Sequence, residues 1–225
     1  MIFKDWLFDL DNTLYPASSS LFPQIHERMG TFIADALKVE LDVAHEMQRT
    51  YYRKYGTTLR GLMLEHKLPP DDFLAFVHEI DATVLPANPR LDAALARIPG
   101  RKLVFTNGSE RHAENVLNHL GLSRHFDGVF DIKAAGYIPK PDPETYRLMV
   151  ERFNVASKEA VMFEDLAHNL TVPHQLGMTT VLVREEGHSF ALGPDPDDKE
   201  SIHHVTDDLA GWIDEWLDRK KASKA

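Results

Sequence analysis

The segment that decides the fold lies near the amino terminus and reads Trp6-Leu7-Phe8-Asp9-Leu10-Asp11-Asn12-Thr13-Leu14. The apolar residues before Asp9 predict a buried strand from about Lys4 to Leu10. Because successive side chains of a strand point to opposite faces, Asp9 and Asp11 lie on one face at its end. Two carboxylates there can bind a magnesium ion, which prefers oxygen ligands and can hold a carboxylate and a phosphate together. The same residues also suit an ordinary turn, so the pair needs support from the rest of the chain.

Length and composition predict a soluble globular protein in the cytoplasm. The chain has 225 residues, of which 43% are hydrophobic and 27% charged, as in ordinary globular proteins. It contains no apolar stretch long enough to span a membrane and no signal segment at its start. It also contains no cysteine, so any metal ligands are oxygen or imidazole. The formal net charge of -10 argues against a nucleic-acid partner, and the twelve histidines show no zinc-binding spacing.

A long helical stretch follows the first strand and precedes the next apolar run, which begins near Lys102. One helical pattern runs from Leu21 to Leu37 and another from Asp42 to Tyr55. No strand pattern interrupts them. We therefore predict an all-helical insertion over residues 15–86, and a core formed by residues 1–14 and 87–225.

The rest of the chain alternates between strand and helix patterns. Predicted strands cover Lys102–Thr106, Gly128–Ile132, Ala160–Phe163 and Thr179–Val183. Helices of 10 to 12 residues separate them, residues 186–201 form a loop, and a last helix covers Asp207–Leu217. This alternation is typical of a doubly wound, Rossmann-like parallel α/β sheet. Active sites of such sheets lie at the carboxyl ends of the strands.

Polar residues follow three more of the predicted strands. Thr106, Asn107 and Gly108 combine a hydroxyl group with free backbone N–H groups at the start of a helix, where an anion the size of phosphate can bind. Lys140 lies between two prolines, which restrict the backbone of its loop. The pair Glu164-Asp165 ends the next strand. These residues would surround Asp9 and Asp11, which supports a magnesium-and-phosphate site over a simple turn.

In this order the residues resemble the haloacid dehalogenase-like phosphohydrolase superfamily. Its four motifs match Asp9-Leu10-Asp11-Asn12-Thr13, Thr106-Asn107, Lys140 and Glu164-Asp165, and the helical insertion is similar to the C1 cap of that superfamily. A narrower similarity to the pyrimidine 5′-nucleotidase group comes from three segments, Leu14-Tyr15-Pro16, residues 55–61 and residues 172–177. The second aspartate is found in the phosphatase branch of the superfamily and not in the dehalogenase branch.

The resemblance implies a role for each of these residues. Asp9 would attack phosphorus and bind Mg²⁺, and Asp11 would act as the acid and base while its backbone carbonyl binds the metal. Asp165 would be a further metal ligand, and Glu164 would act through water. The phosphate would be bound by Thr106, Asn107 and Lys140.

The implied activity is magnesium-dependent hydrolysis of a small phosphomonoester, with UMP or CMP as the expected substrates. Tyr55, Thr58 and Arg60 lie in the matching segment of the insertion and are the predicted substrate-selecting residues. Three alternatives remain: a phosphatase or phosphomutase for a sugar phosphate or phosphoglycolate, a receiver-type signalling module that is phosphorylated on aspartate, and a non-catalytic binding protein. The sequence does not predict the oligomeric state.

Overall fold

The protein is described by a computed structural model that covers residues 3–185 and 199–222. Within these residues, six parallel strands form one sheet in the order β3-β2-β1-β4-β5-β6. The strands are β1 (Asp5–Phe8), β2 (Arg101–Phe105), β3 (Gly128–Phe130), β4 (Ala160–Glu164), β5 (Thr179–Val183) and β6 (His204–Thr206). The predicted α/β fold with a Rossmann-like parallel sheet is confirmed.

Strand β1 lies in the middle of the sheet, between β2 and β4, and the residues that follow these three strands form the candidate site. Phe8 is paired in register with Val104 of β2 and with Phe163 of β4. The residues that follow these three strands therefore meet at one edge of the sheet. The backbone N–H of Asp9 extends the pairing by donating to the carbonyl of Phe163 at 2.9 Å. Because all strands are parallel, this edge is the carboxyl end of the sheet, as the sequence predicts.

Five α-helices lie between β1 and β2. They are α1 (Leu21–Leu37), α2 (Leu41–Tyr55), α3 (Thr58–His66), α4 (Pro70–Val77) and α5 (Pro89–Arg97). Helices α1–α4, which we term the helical insertion, share a hydrophobic cluster that includes Ile25, Ile33, Leu62 and Phe73. Helix α5 instead packs on the carboxyl-terminal helix.

The remaining helices cover the two faces of the sheet. They are α6 (Glu110–Leu120), α7 (Pro143–Phe153), α8 (Thr171–Gln175) and α9 (Leu209–Ala222). The side chains of Ser109 and Asp142 cap the amino termini of α6 and α7. One hydrophobic cluster, which includes Trp6, Phe8 and Ile213, packs on one face of the sheet, and a second, which includes Leu7 and Tyr146, on the other. No helix in residues 3–185 and 199–222 has the length and hydropathy needed to cross a membrane.

The structure differs from the sequence prediction in three elements. Helix α5 and strand β6 were not predicted. Strand β6 has only three residues at the sheet edge, and its Val205 is 64% exposed, so it carries no apolar pattern. The helix predicted after β4 begins as a 3-10 helix, Ala167–Leu170, before α8. Most of the predicted loop 186–201 lies outside the described residues.

Candidate active site

The carboxylate of Asp9 lies at the end of β1 and is almost completely buried, with 7% of the residue exposed. Its Oδ1 accepts a hydrogen bond from Nζ of Lys140 at 2.8 Å, and its Oδ2 accepts one from the Thr13 hydroxyl at 3.2 Å. The next residues turn away from the strand, and Asn12 adopts a left-handed φ of 62°, which asparagine tolerates. Asp9 is thus held by a cation and a hydroxyl group at the edge of the sheet.

Lys140 is the cation at the centre of the site and is itself only 2% exposed. Its ammonium group donates to Asp9, to Oε1 of Glu164 at 2.6 Å and to the carbonyl oxygen of Phe105 at 2.8 Å, which uses all three of its protons. Asn107 holds the lysine loop at its backbone, because its side-chain amide accepts from Lys140 N at 2.8 Å and donates to Lys140 O at 3.3 Å. The sequence prediction placed Lys140 beside the carboxylates, and the structure does the same.

The two acids that follow β4 differ in their surroundings. Glu164 is completely buried, and its carboxylate accepts from Lys140, from the Asn169 side chain at 2.8 Å and from the backbone N–H of Leu166 at 3.1 Å. Asp165 is partly exposed and is contacted by the Asn12 amide at 3.4 Å. Glu164 is therefore held by three donors, whereas Asp165 is open to a ligand.

Asp9, Glu164 and Asp165 could together hold a metal ion. Each offers a carboxylate oxygen, and these atoms lie within 4.8 Å of one another. An all-oxygen donor set of this kind is suited to a hard divalent cation such as magnesium. The side chain of Asp11 does not belong to this cluster.

The charges in this cluster do not balance, since three carboxylates face one ammonium group. Burial raises the pKa of Asp9 to about 7; the Lys140 ammonium opposes this rise and the Glu164 carboxylate adds to it. Burial, followed by the charges of Glu164 and Asp9, raises the pKa of Asp165 well above its usual value. Burial would lower the pKa of Lys140, but Asp9 and Glu164 outweigh it and raise the pKa above its usual value. Lys140 is therefore charged, and a second cation would relieve the remaining repulsion.

Asp11 has different partners from the other acids. Its Oδ1 accepts hydrogen bonds from the Tyr15 hydroxyl at 2.5 Å and from Nε2 of His112 at 2.8 Å. Burial alone would raise the pKa of Asp11, but the interactions with His112 and Tyr15 outweigh it and lower the pKa below its usual value. Neither Tyr15 nor His112 was predicted as a site residue.

The loop after β2 lies between Asp11 and Lys140. The Thr106 hydroxyl is buried and accepts from the backbone N–H of Gly108 at 2.9 Å. A Cβ atom placed on Gly108 would lie 3.2 Å from that hydroxyl and 3.2 Å from the His112 ring. Glycine therefore allows a close approach of this backbone to the site. The three residues predicted to bind phosphate, Thr106, Asn107 and Lys140, all line the same cavity.

A cavity of about 160 Å³ joins these polar groups to the helical insertion. It is more than ten times larger than the ~10–15 Å³ that one water molecule requires, so a small organic group fits. All the predicted catalytic, phosphate-binding and metal-binding residues line one end of it. The other end is formed by the helical insertion, and most of its surface is apolar. Its apolar residues are Phe22, Ile25, Met29, Leu59, Phe73, Leu74 and Val77, and its polar residues are His26, Gln48, Tyr52, Thr57, Thr58 and His78.

The three predicted substrate-selecting residues differ in their position relative to the cavity. Thr58 lines the cavity. Tyr55 and Arg60 are not among the described residues that do so, and the Tyr55 hydroxyl donates to Glu65 on the outer side of the insertion. Tyr52, one turn before Tyr55, lines the cavity instead. The helical pattern placed the correct segments in the insertion but could not orient them relative to the core.

Gln48 is a second cavity residue that was not predicted. It is completely buried in α2, and its Nε2 lies 3.4 Å from the sulfur of Met29. Its Oε1 has no hydrogen-bond partner among the described residues. An unpaired buried acceptor costs about 1–3 kcal/mol, so a ligand with a donor group would be favoured there. No sequence motif identifies such a residue, because its burial depends on how the inserted helices pack.

Comparison with known proteins identifies the family. Residues 6–177 match the model of the haloacid dehalogenase-like hydrolases. The chain belongs to this family. The superfamily resemblance drawn from the four motifs is thus confirmed.

Two relatives of this haloacid dehalogenase-like hydrolase cover most of the chain. Phosphate metabolism protein 8 of Saccharomyces cerevisiae is 26% identical in an alignment 205 residues long that covers 83% of this chain. The chain spans 63% of the length of that yeast protein. The phosphorylated carbohydrates phosphatase of Thermotoga maritima is 30% identical in an alignment 183 residues long that covers 78% of this chain and 82% of the relative.

A solved structure shows the same fold. The structure of CbbY from Rhodobacter sphaeroides, in complex with phosphate, superposes with a TM-score of 0.62 and 21% sequence identity. The match covers 93% of this chain and 96% of CbbY. At this identity the likeness supports the fold of the haloacid dehalogenase-like hydrolase and not its substrate.

Proposed function

We propose that this hydrolase is a magnesium-dependent phosphatase that acts through an aspartyl-phosphate on Asp9, and that its substrates are pyrimidine nucleoside 5′-monophosphates such as UMP and CMP. The phosphatase among its relatives supports the activity. The observation that carries the proposal is the cavity, because one end holds Asp9, Asp11 and Lys140 and the other is mainly apolar. A phosphate group matches the first end, and a flat, weakly polar base matches the second.

The acidic cluster fits the magnesium requirement. Asp9 and Asp165 would hold the ion through their carboxylates and Asp11 through its backbone carbonyl, with Glu164 acting through water. Bound there, the cation neutralises charge between the ionised nucleophile and the phosphate dianion. Glu164 already accepts three hydrogen bonds, which leaves little of its carboxylate for direct metal binding. One of these bonds comes from Lys140, and it keeps the ammonium group beside Asp9.

The first half of the reaction transfers the phosphoryl group to the protein. A carboxylate oxygen of Asp9 attacks phosphorus, and the bond from phosphorus to the sugar oxygen breaks. That oxygen takes a proton from the Asp11 carboxyl group, whose protonated form is favoured by the negative charge of the bound phosphate. Lys140 stabilises the charge on the transferring group, and Thr106 with the backbone of Asn107 orients it. In the second half, water attacks phosphorus and Asp11 takes a proton from it. The bond to Asp9 breaks, which restores both carboxyl groups.

Two features favour a nucleoside as the leaving group. Phe22, Phe73 and the aliphatic residues around them offer contact to a planar base. The free Oε1 of Gln48 can accept from a base N–H, and its Nε2 is bonded only weakly, to a sulfur atom. A uracil ring presents an N–H donor beside a carbonyl acceptor, so it can pair with both ends of this amide. We propose that Gln48 and Thr58 contact the base and that the helical insertion closes over it as a C1 cap.

A sugar phosphate is the second candidate, because the Thermotoga maritima relative is named for phosphorylated carbohydrates. A polyol presents several hydroxyl groups, and burying these without partners is unfavourable. Polar residues there offer some partners, but most of the surface of the cavity is apolar, which favours the nucleotide over the sugar phosphate.

The test is a substrate panel with Mg²⁺ that contains UMP, CMP, AMP, sugar phosphates and phosphoglycolate, with Asp9→Asn as the matched inactive control. We expect the highest kcat/KM for UMP or CMP. A preference for sugar phosphates or phosphoglycolate would overturn the nucleotide assignment and leave the phosphatase assignment intact. Hydrolysis of none of these compounds would overturn both. A stable aspartyl-phosphate without turnover would indicate the receiver-type alternative.

A further inference from the structure

The acid and base of the proposed reaction must present one defined oxygen to the substrate. Asp11 lines the same cavity as three other carboxylates and one ammonium group, yet its side-chain hydrogen bonds are to Tyr15 and His112. Both of its strong hydrogen bonds, from Tyr15 and from His112, end on the same oxygen, Oδ1. Its other oxygen, Oδ2, is the one left for the substrate.

The position of Oδ2 agrees with this division. A Cβ atom placed on Gly108 would lie 3.8 Å from Oδ2. Gly108 directly follows Thr106 and Asn107 in the predicted phosphate-binding loop. The free oxygen of Asp11 thus faces the predicted phosphate-binding loop.

His112 is held rigidly enough to fix a neighbour. It is 1% exposed and belongs to the first turn of α6, where its backbone N–H donates to the Ser109 hydroxyl at 3.3 Å. The ring of His78 stacks on its ring, with centroids 4.3 Å apart and an interplanar angle of 11°. Nδ1 of His78 also lies 2.9 Å from the Ser109 hydroxyl. His78 follows α4, so this stack joins the helical insertion to the core.

We propose that His112 is a positioning residue that, together with Tyr15, orients the carboxyl group of Asp11 so that Oδ2 carries the proton to and from the substrate. His78 supports the His112 ring from the side of the insertion. This inference rests on the proposed function and assigns residues that the four family motifs do not include. Since the proton moves through Oδ2 of Asp11 in both half-reactions, loss of His112 should impair proton transfer more than phosphate binding.

Two esters with different leaving groups separate these effects. A nucleoside oxygen needs a proton in order to leave, whereas p-nitrophenolate leaves without one. The ratio kcat/KM covers only the steps through formation of the aspartyl-phosphate. For His112→Leu we expect a fall in kcat/KM of about 100-fold on the best nucleotide of the panel and of less than about tenfold on p-nitrophenyl phosphate. His112→Gln keeps an N–H donor and should recover part of the loss.

A transient measurement provides a second readout. Hydrolysis of the aspartyl-phosphate still requires Asp11 as a base, whichever ester formed it. His112→Leu should therefore release a rapid burst of nitrophenolate close to the enzyme concentration, followed by slow turnover. The control is His119→Gln, on the outer side of the same helix, which should keep wild-type rates and show no added burst.

The outcomes distinguish the inference from the function on which it rests. If wild-type protein hydrolyses neither ester, the proposed function fails. If it is active and His112→Leu loses the same factor on both esters, or loses nothing, the positioning role is overturned. Should His112→Leu not fold, as judged by circular dichroism, Tyr15→Phe removes one of the two donors to Oδ1 and is expected to show the same selective loss to a smaller degree. Equal losses on both esters in Tyr15→Phe would overturn the role as well.

Discussion

Replacement of the nucleophile should stabilise the metal-free protein. In Asp9→Asn the buried cluster keeps Lys140 with Glu164 and Asp165, so its formal charge changes from -2 to -1. The raised pKa of Asp9 measures how unfavourable its charge is in the folded state. A rise from 3.8 to about 7 corresponds to roughly 4 kcal/mol when Asp9 is fully ionised. Because asparagine is a weaker acceptor for Lys140 than a carboxylate, we expect a net gain of about 1–4 kcal/mol.

The gain should depend on pH in a defined direction. The folded protein binds more protons at Asp9 than the unfolded protein does between about pH 4 and pH 7, so its stability falls as pH rises through this window. Asp9→Asn lacks this titration. Its advantage over wild type should therefore be largest near pH 8 and should disappear near pH 4.

Urea denaturation in the presence of a chelator, followed by far-UV circular dichroism, measures both quantities. Asp5→Asn is the control, because Asp5 is also buried but bonds to Arg101 and to the backbone N–H of Ala156. It should lose about 1–3 kcal/mol at both pH values. If Asp9→Asn is less stable than wild type near pH 8, or if its gain is independent of pH, the electrostatic account of the site is refuted.

Three further predictions concern the cation, the cavity and the metal. Lys140→Met should abolish turnover. It should also lower the free energy of unfolding near neutral pH by about 3–5 kcal/mol, because two buried carboxylates would lose their cation. If the variant turns over substrate at the wild-type rate, Lys140 lies outside the site. Gln48→Leu should raise KM for UMP by about three- to tenfold and leave KM for p-nitrophenyl phosphate unchanged. If Gln48→Leu and wild-type protein have the same KM for UMP, Gln48 does not bind the base. Mg²⁺ should raise the Tm of wild-type protein and not that of Asp165→Asn, so an equal rise in both would show that Asp165 is not a ligand.

The catalytic end of the site could be predicted because it depends on short-range rules. Residues that follow parallel strands meet at one edge of the sheet, and this rule alone brings Asp9 and Asp165 together. Lys140 lies ten residues after β3, and its loop is held beside them by Asn107. The central sheet was predicted because its strands are apolar and separated by capped helices. Helix α5 also carries a local signal, since Asn88 caps it and a proline follows, but the same two residues suit a turn that returns the chain to the core.

The residues that support and select the substrate could not be predicted in the same way. His112 lies only three positions after Ser109, which caps α6, yet it is 101 residues away in the sequence from Asp11, to which it bonds. Gln48 and Tyr52 contact the cavity because of the way α2 packs against its neighbours, whereas Tyr55, one turn later, faces Glu65. Periodicity defines the buried face of a helix but not the partner against which that face packs.

The central claim is that Asp9 carries the phosphoryl group. Acid quenching of the protein during turnover of p-nitrophenyl phosphate with Mg²⁺, followed by peptide mass mapping, locates the adduct directly. We expect one phosphoryl group on the peptide that contains Asp9 in wild-type protein and none in Asp9→Asn. A phosphoryl group on another residue, or full hydrolysis by Asp9→Asn, would contradict the mechanism.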